Sequence, residues 1–540
     1  MAQRPPGGWV ERVPGWAWWV LVVLVGLVAG GVPLLWGPPG GDDAYHHAML
    51  TQQQARCVAG GVPWPTWYPD LNAGLGGPEP RTRPIVPLTA HALLALAFDD
   101  AVAAISLVTL LIPVAIGISV MRAGRRLGAA RPKAALAGVV AALLPYLAFS
   151  LHERVSLQEG WALAMLPFAL VAFDECAVQR SGPFPAAVLL AVMSGTHLLV
   201  AVSTIALLAM WAVGMGRQVL ARIAGAGLAG LGIGALFWVP ALLALGRVQS
   251  RTFVSNWFDW RERFVLLPSP SDPRLGGAMT AAFVGLALAA TVVVLCDRGA
   301  RKFGGVALVL AALATPLAWP LYRFVPGFAF FQFPWRWLGP AGLIFAVGIA
   351  FLERRFVRIV TVGCVLVPLV FFHPSLDRAA AGGALRPSAG PVEAAAAATR
   401  FYVPPILPSF PAMVPLGVAV DRAIAAAGPI RRGLPAAVRS GPAVWGWKVD
   451  KPKAGNLVLP LLADSGWSVR VDGHEVGLTS TWGLLTVPLR RGAHVVECRQ
   501  GWLPENWLGL GLSLVSVGVL AAWIRSSRRR GKYLDEMVAA

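Results

Sequence analysis

A chain of 540 residues that is 56% hydrophobic and only 14% charged lies far from the composition of a soluble globular domain. Its mean hydropathy of +0.63 predicts that most of the chain lies in lipid. The formal charge of +19 does not indicate a nucleic-acid partner, because the basic residues are scattered between apolar segments and form no single stripe or tail. The five cysteines lack the short paired spacings of zinc and redox-dithiol motifs.

The apolar runs predict a polytopic α-helical membrane protein with about twelve transmembrane helices. A break at 195–197 is predicted to divide the long run 183–215 into two short helices. The first run is interpreted as an uncleaved span, and the short run 84–98 as a helix at the membrane interface. Apart from the two helices of this divided run, the spans are placed near residues 16–36, which is the first run, and near 101–121, 134–151, 160–178, 218–240, 276–296, 303–321, 337–353, 359–373 and 505–525.

The basic residues predict the orientation of these spans. With a cytoplasmic N-terminus, every strongly basic cluster next to a span falls on the cytoplasmic side, including the loop at 122–133 and the C-terminal tail. If 84–98 were counted as a full span, that loop would lie outside. We therefore expect both termini in the cytoplasm.

The chain divides into three predicted parts. Residues 1–373 form the transmembrane domain, with a first outer loop at 37–100, and residues 374–504 form an extracytoplasmic β-rich domain. Residues 505–540 form the last transmembrane helix and a basic cytoplasmic tail. In the β-rich part, apolar residues alternate over 467–471 and the Asp472-Gly473 dipeptide is a hairpin turn signal, which together predict a small β-sandwich.

The first outer loop begins with two candidate catalytic carboxylates, Asp42 and Asp43. A carboxylate at the lip of a membrane cavity is costly to desolvate, which points to function. The alternative is that one of them caps the following helix, and the two interpretations are compatible. His46 and His47 lie one helical turn further on, so a divalent metal is possible, although a hydrogen-bonding surface pair fits equally well.

Further candidates for substrate binding follow along the chain. Trp64 and Trp67 offer flat faces for sugar rings, or belong to an interfacial aromatic belt. Glu153, Arg154 and Glu159 form a polar cluster at the predicted outer surface, where they bind substrate or pair with one another.

Three later residues complete the candidate set. His197, at the break between two short helices, faces a cavity or is a satisfied core histidine. Arg336 follows Gln332 within an aromatic run on the outer side and is placed to grip a phosphate with its forked guanidinium group. The alternative is a snorkelling arginine with a cation–π neighbour.

The order of these motifs resembles bacterial membrane glycosyltransferases of the GT-C superfold. The similarity is greatest to integral membrane proteins labelled pyruvoyl-tetrahydropterin synthase-related and to YfhO-type proteins. The motifs that carry it are Gly-x-Pro-x-x-x-Trp-x-Pro-Asp at 61–70, Asn-x-Gly-x-Gly-x-Pro at 72–78, the polar cluster at 154–159, Phe-Trp-Val-Pro at 237–240, Gln-Phe-Pro-Trp-Arg at 332–336 and the hairpin at 466–473.

This resemblance implies transfer of a sugar from a polyprenyl-phosphate-linked donor to an envelope lipid, glycan or polymer. Asp42 or Asp43 would act as the general base, and Arg336 or Arg154 would offset the charge of the leaving phosphate. Arg81 and Arg83 lie where that superfold has an aromatic-rich segment, and they add positive charge near the same phosphate.

The resemblance also implies a place and partners. The protein is expected in the bacterial cytoplasmic (inner) membrane, in contact with membrane lipid and without nucleic acid. A transporter or flippase of lipid-linked saccharides and a non-catalytic envelope assembly factor remain alternatives. The halves of the chain show no internal repeat, which disfavours the transporter.

Overall fold

The computed structural model describes residues 13–31, 43–244, 259–268, 273–353, 427–428, 430, 438–441, 444–481 and 484–539. Asp42 and the predicted span 359–373 lie outside these residues. The described α-helices, in chain order, are α1 Gly15–Gly30, α2 Ala44–Ala59, α3 Leu71–Gly74, α4 Ile85–Phe98, α5 Ala101–Arg126, α6 Arg131–Ala142, α7 Pro145–His152, α8 Leu157–Ala177, α9 Phe184–Thr196, α10 Leu198–Trp211, α11 Arg217–Ile233, α12 Ala235–Ala244, α13 Pro273–Cys296, α14 Arg301–Ala312, α15 Trp319–Phe324, α16 Leu338–Ile349 and α17 Pro504–Ala539.

Within the described part of the chain, four helices are long and apolar enough to cross a membrane, or seven if three bent pairs each form one span. The pairs α6–α7, α11–α12 and α14–α15 bend by 41, 65 and 72°. The sequence predicts each of these as one span without a bend. Pro145 and Pro316 account for two of the bends, because the residue before a proline is driven out of helical geometry. The chain is a membrane protein, and the total of about twelve spans stays a prediction.

The predicted break inside 183–215 is confirmed. Helix α9 ends at Thr196 and α10 begins at Leu198, with the intervening His197 in an extended conformation. The ring nitrogen Nδ1 of His197 accepts a hydrogen bond from the backbone N–H of Val200 at 3.3 Å and so caps α10.

Two glycines one turn apart let α1 pack closely on α5. A Cβ atom added at Gly26 would lie 2.6 Å from Val114 Cα, and one at Gly30 would lie 2.4 Å from the Leu110 carbonyl oxygen. Such close backbone approach is typical of small residues at spacing four in membrane helices. The Ala29 carbonyl also accepts a hydrogen bond from His152 Nε2 at 2.8 Å, which fixes the C-terminal end of α1, the end that leads to Asp43.

Antiparallel β structure precedes the last helix, as predicted. The described part of this region contains eight strands, which are β1 Val438–Gly441, β2 Val444–Lys451, β3 Gly455–Leu462, β4 Trp467–Val471, β5 His474–Glu475, β6 Thr479–Thr481, β7 Leu484–Leu489 and β8 Gly492–Gln500. They form one sheet of order β1-β2-β8-β4-β5 and a second of order β3-β7-β6, and the inward side chains of both sheets share one apolar core. Asp472 and Gly473, with φ of 52° and 82°, make the predicted turn between β4 and β5.

The β strands contact the first outer loop at what we call the junction, formed by Trp67 and Arg81 of the loop with Asp464, Trp467 and Gln500. Arg81 donates two hydrogen bonds to the Asp464 carboxylate, at 3.0 and 2.6 Å. The rings of Trp67 and Trp467 meet edge to face, with centroids 5.2 Å apart. Burial alone would raise the pKa of Asp464, but the hydrogen bond and charge of Arg81 outweigh it and lower that pKa.

Candidate functional site

Glu159, in the first turn of α8, is the centre of a buried polar cluster. Its Oε1 atom accepts a hydrogen bond from the Tyr146 hydroxyl, and its Oε2 atom accepts from Arg154 Nη1 at 3.2 Å and from Ser156 Oγ at 3.4 Å. Only 2% of the Glu159 side chain is exposed. Because a buried carboxylate is costly without partners, these hydrogen bonds are what stabilise Glu159 at the start of the helix.

Arg336, which is far from Glu159 in the sequence, contacts the same carboxylate. Its Nε atom lies 3.5 Å from Glu159 Oε2, and Nη1 donates to the Phe331 carbonyl at 3.1 Å and to Gln332 Oε1 at 3.3 Å. Burial and the neighbouring charge of Arg154 lower the pKa of Arg336. Two arginines therefore share one carboxylate, and the contact group keeps a net positive charge.

Aromatic rings separate the guanidinium groups. The Cζ atom of Arg336 lies 4.8 Å from the ring centroid of Phe333, and that of Arg154 lies 4.7 Å from the ring of Trp335 and 5.5 Å from that of Phe333. Arg263 approaches Phe333 from a third direction at 5.8 Å. Three guanidinium groups around one ring form a cationic and aromatic cluster whose chemistry suits a phosphate and its apolar chain.

His197 completes the shell around Glu159. Since its Nδ1 atom accepts from the backbone of Val200, the proton of the neutral ring lies on Nε2. That atom is 4.0 Å from Glu159 Oε2. The break between α9 and α10 thus directs a donor towards the cluster.

Asp43 lies beside this cluster, directly before α2. Its backbone N–H donates to the Arg154 carbonyl at 3.0 Å. Burial raises the pKa of Asp43, while the charges of Arg154, Arg83 and Arg336 oppose that rise. Asp43 occupies the N-cap position of α2, but its side chain makes no capping hydrogen bond, so its carboxylate is not used by the helix.

His46 and His47 point into the buried side of α2. Burial and the nearby Arg83 lower the pKa of both rings, and that of His47 falls to about 3. Both histidines are neutral at physiological pH and add no positive charge. Among the residues the structure describes, no three His, Cys, Asp or Glu side chains converge as a metal site. Asp42 lies outside these residues, so the divalent metal remains an expectation from the sequence.

Two residues beside the cluster have positive φ angles. Val155 has a φ of 58° and Gln332 a φ of 59°. A β-branched residue at positive φ is a genuine outlier that costs of order 1–3 kcal/mol. The strain at Val155, which directly follows Arg154, supports a site in which that arginine is held in a fixed position.

The structure places the remaining predicted residues in four locations. Arg83 is an electrostatic neighbour of Asp43, and Glu153 lies half-buried at the end of α7. Trp64 stacks on Phe237 with ring centroids 5.3 Å apart. Trp67 and Arg81 lie at the junction, where both are buried and engaged with the β strands.

Two cluster members were missed by sequence reasoning. Tyr146 follows Pro145 in an apolar run, and its neighbours in the sequence do not indicate that it belongs to a polar site. Arg263 had a usable signal, since it lies in the aromatic-rich segment 257–264 and so repeats the context of Arg336.

Comparison with known proteins gives a low level of similarity. No family model and no curated protein matches the chain. Two solved structures of the arabinofuranosyltransferase AftD from Mycobacteria, one of them of a mutant, are each 18% identical over 68% of this chain, with TM-scores of 0.43 and 0.37. These matches cover 27% and 28% of AftD, so the chain spans under a third of its length. At these TM-scores the fold rests on the geometry of the chain itself.

Proposed function

We propose that the protein is a membrane glycosyltransferase that moves a sugar from a polyprenyl-phosphate-linked donor to an envelope lipid, glycan or polymer on the extracytoplasmic face. The observation that carries the proposal is the position of the Asp43 carboxylate beside two arginines that share Glu159. A base and a cationic phosphate site next to each other are the two components that such a transfer needs.

In the proposed reaction, Asp43 removes the proton from the acceptor hydroxyl as its oxygen attacks the anomeric carbon. The bond between that carbon and the donor phosphate oxygen breaks, and the lipid phosphate leaves with the electron pair. Arg336 and Arg154 offset the charge that develops on the leaving oxygen, and the rings of Phe333 and Trp335 cover its apolar side. Attack opposite the leaving group inverts the anomeric centre.

The raised pKa of Asp43 suits this role. A carboxylate with an ordinary pKa is a weak base, and burial that raises the pKa strengthens it towards the working pH. Glu159 differs because its two oxygens are occupied by Tyr146, Arg154 and Ser156. We assign it to holding the arginines in place.

The test is transfer of labelled sugar from a panel of polyprenyl-phosphate donors in membranes that carry wild type, Asp42→Asn or Asp43→Asn. We expect transfer by wild type and a loss of about 10²- to 10⁴-fold with Asp43→Asn at equal expression. Asp99→Asn is the matched control, since Asp99 is exposed and lies in a left-handed conformation that asparagine accepts.

Other outcomes separate the alternatives. If donor is moved across the membrane and not consumed, the transporter or flippase is favoured. If donor is neither consumed nor moved and both substitutions are neutral, the non-catalytic assembly factor is favoured. Chelation of divalent metal in the same assay tests the metal that the His46–His47 spacing allows.

A further inference from the structure

A basic cavity lies at the N-terminal end of α1, and the proposed function does not use it. The cavity has a volume of about 590 Å³, and its wall includes Trp16 and Trp19 of α1, Arg122, Arg125 and Arg126 of α5, and Arg131 of α6. With 16 residues at 1.5 Å rise, the two ends of α1 lie about 24 Å apart. The cavity is therefore separate from the cluster around Glu159.

The arginines of this wall are incompletely neutralised. Arg126 lies 3.5 Å from Glu175, but its side chain is 69% exposed. Arg125 donates to the Ala129 carbonyl at 2.7 Å, and no carboxylate of the described residues lies within salt-bridge distance of it. Within the described residues, neither Arg122 nor Arg131 has a carboxylate within salt-bridge distance. Close cations of this kind repel one another unless an anion lies between them.

The tryptophans indicate what kind of anion fits. Trp16 is 67% exposed and Trp19 is half-buried at the point where α1 begins. Tryptophan favours the headgroup level of a membrane, where one end of the ring is wet and the other meets acyl chains. A soluble anion would use the arginines alone, whereas a lipid uses both the arginines and the rings.

We infer that this cavity binds the phosphate headgroup of an anionic phospholipid from the leaflet predicted to be cytoplasmic. Arg122, Arg125 and Arg131 hold the phosphate, while Trp16 and Trp19 lie against the glycerol and the first part of the acyl chains. Basic pockets between membrane helices on this side are suited to such headgroups. The bound lipid also screens the repulsion between the α5 and α6 arginines.

Gly15 provides a way to fill the cavity at constant charge. A Cβ atom added at Gly15 would lie 2.6 Å from Arg131 Nη1, so this guanidinium group rests on the glycine. A larger side chain there displaces the flexible end of Arg131 and narrows the cavity. A substitution at Gly15 changes the size of the cavity and not its charge. It therefore distinguishes a specific binding site from the general excess of positive charge on that side of the membrane.

The test uses the purified full chain, exposed to mixtures of phosphatidylglycerol and phosphatidylcholine in detergent, with retained lipid measured by native mass spectrometry. We expect wild type to retain phosphatidylglycerol selectively. The triple variant Arg122→Gln/Arg125→Gln/Arg131→Gln should weaken lipid retention roughly 100-fold. Each basic residue near an anionic surface contributes a similar share of the binding free energy, and the three shares add up to this factor. Gly15→Leu should weaken it in the same direction.

The matched control is Arg180→Gln/Arg217→Gln/Arg298→Gln. It removes the same charge from exposed arginines outside the cavity wall and should leave retention unchanged. The inference is overturned if this control loses as much lipid as the cavity variant, or if Gly15→Leu retains lipid like wild type. It is also overturned, in favour of a free-anion site, if inorganic phosphate displaces phosphatidylglycerol at equal concentration. None of these readouts depends on sugar transfer.

Discussion

Two buried arginine–carboxylate groups contact the first outer loop, and they differ in how their charges balance. At the junction, Arg81 and Asp464 form a one-to-one pair with two parallel hydrogen bonds. At the candidate site, Arg154 and Arg336 share Glu159. The first group is balanced one to one, whereas in the second two arginines contact a single carboxylate.

This difference separates a structural role from a functional one better than burial does. Arg81 and Arg154 are buried to a similar degree, with side-chain exposures of 5% and 6%. Their partners decide the role, since a matched pair offsets its own desolvation and an unequal group does so only in part. Unequal buried charge in a cleft is therefore the more useful sign of a binding site.

The largest expected effect comes from removing the shared carboxylate. Glu159→Gln should lower the free energy of unfolding by about 3–5 kcal/mol, because two buried arginines then lose their counter-charge. Thermal unfolding in detergent measures this. The control is Glu175→Gln, whose partner Arg126 is mostly exposed and which should change stability by about 0.5 kcal/mol or less. Equal losses in the two variants would contradict the central role of Glu159.

A smaller effect is expected on the ligand side of the same cluster. Arg336→Lys keeps the charge but loses the planar fork, so kcat/KM for the lipid-linked donor should fall roughly 10- to 100-fold, equivalent to about 1.5–3 kcal/mol. Arg261→Lys is the control, since Arg261 is 44% exposed and pairs with its neighbour Asp259. An unchanged kcat/KM in Arg336→Lys would remove Arg336 from the phosphate site.

The junction should show coupling between its own two charges. A double-mutant cycle of Arg81→Ala and Asp464→Ala, followed by chemical unfolding, should give an interaction free energy of about 1–3 kcal/mol. The same cycle on the exposed pair Arg261 and Asp259 should give about 0.2–1 kcal/mol. If the two cycles agree, the junction is an ordinary surface pair.

Acid should reveal the junction as well. The pKa of Asp464 is lowered in the folded protein, so its contribution to stability is complete above the unfolded pKa near 3.8 and is lost as the pH falls through the lower folded value. The cycle repeated at progressively lower pH should therefore lose its coupling only below pH 3.8. Loss of coupling near neutral pH would contradict the lowered pKa.

The smallest expected effect is a displacement of the pH profile. Asp43 must be deprotonated to act as a base, and its pKa is raised, so the acid limb of kcat/KM should lie above pH 3.8. Arg83→Gln removes a positive neighbour that lowers this pKa, and the limb should move to higher pH. A limb that stays in place would separate Arg83 from Asp43.

Local patterns predicted much of the fold. Apolar run length indicated the membrane helices, and the Gly-Thr-His sequence at 195–197 indicated a break that the structure confirms between α9 and α10. The alternation around Trp467 and the Asp472-Gly473 turn indicated the β4–β5 hairpin. The bends in α6–α7, α11–α12 and α14–α15 were not predicted, because a bend depends on neighbouring helices as well as on local residues.

The candidate site was only partly accessible to the same reasoning. Arg154, Glu159, His197 and Arg336 were each singled out as polar residues in apolar surroundings, and the structure brings these four together. Tyr146 was missed because a tyrosine in an apolar run is usually a core residue. Nothing in the sequence distinguished Arg81 from Arg83, although one joins the junction and the other lies near Asp43.

The sequence by itself determined the membrane class, the positions of most apolar helices and the strand pattern before the last helix, because these follow from run length and from periods of two and 3.6 residues. Only the tertiary structure decided which arginine meets which carboxylate. Glu159 and Arg336 are far apart in the sequence. Arg81 belongs to the predicted transmembrane domain, whereas its partner Asp464 belongs to the predicted β-rich domain. Such pairings depend on how helices and strands pack, and no local pattern specifies that packing.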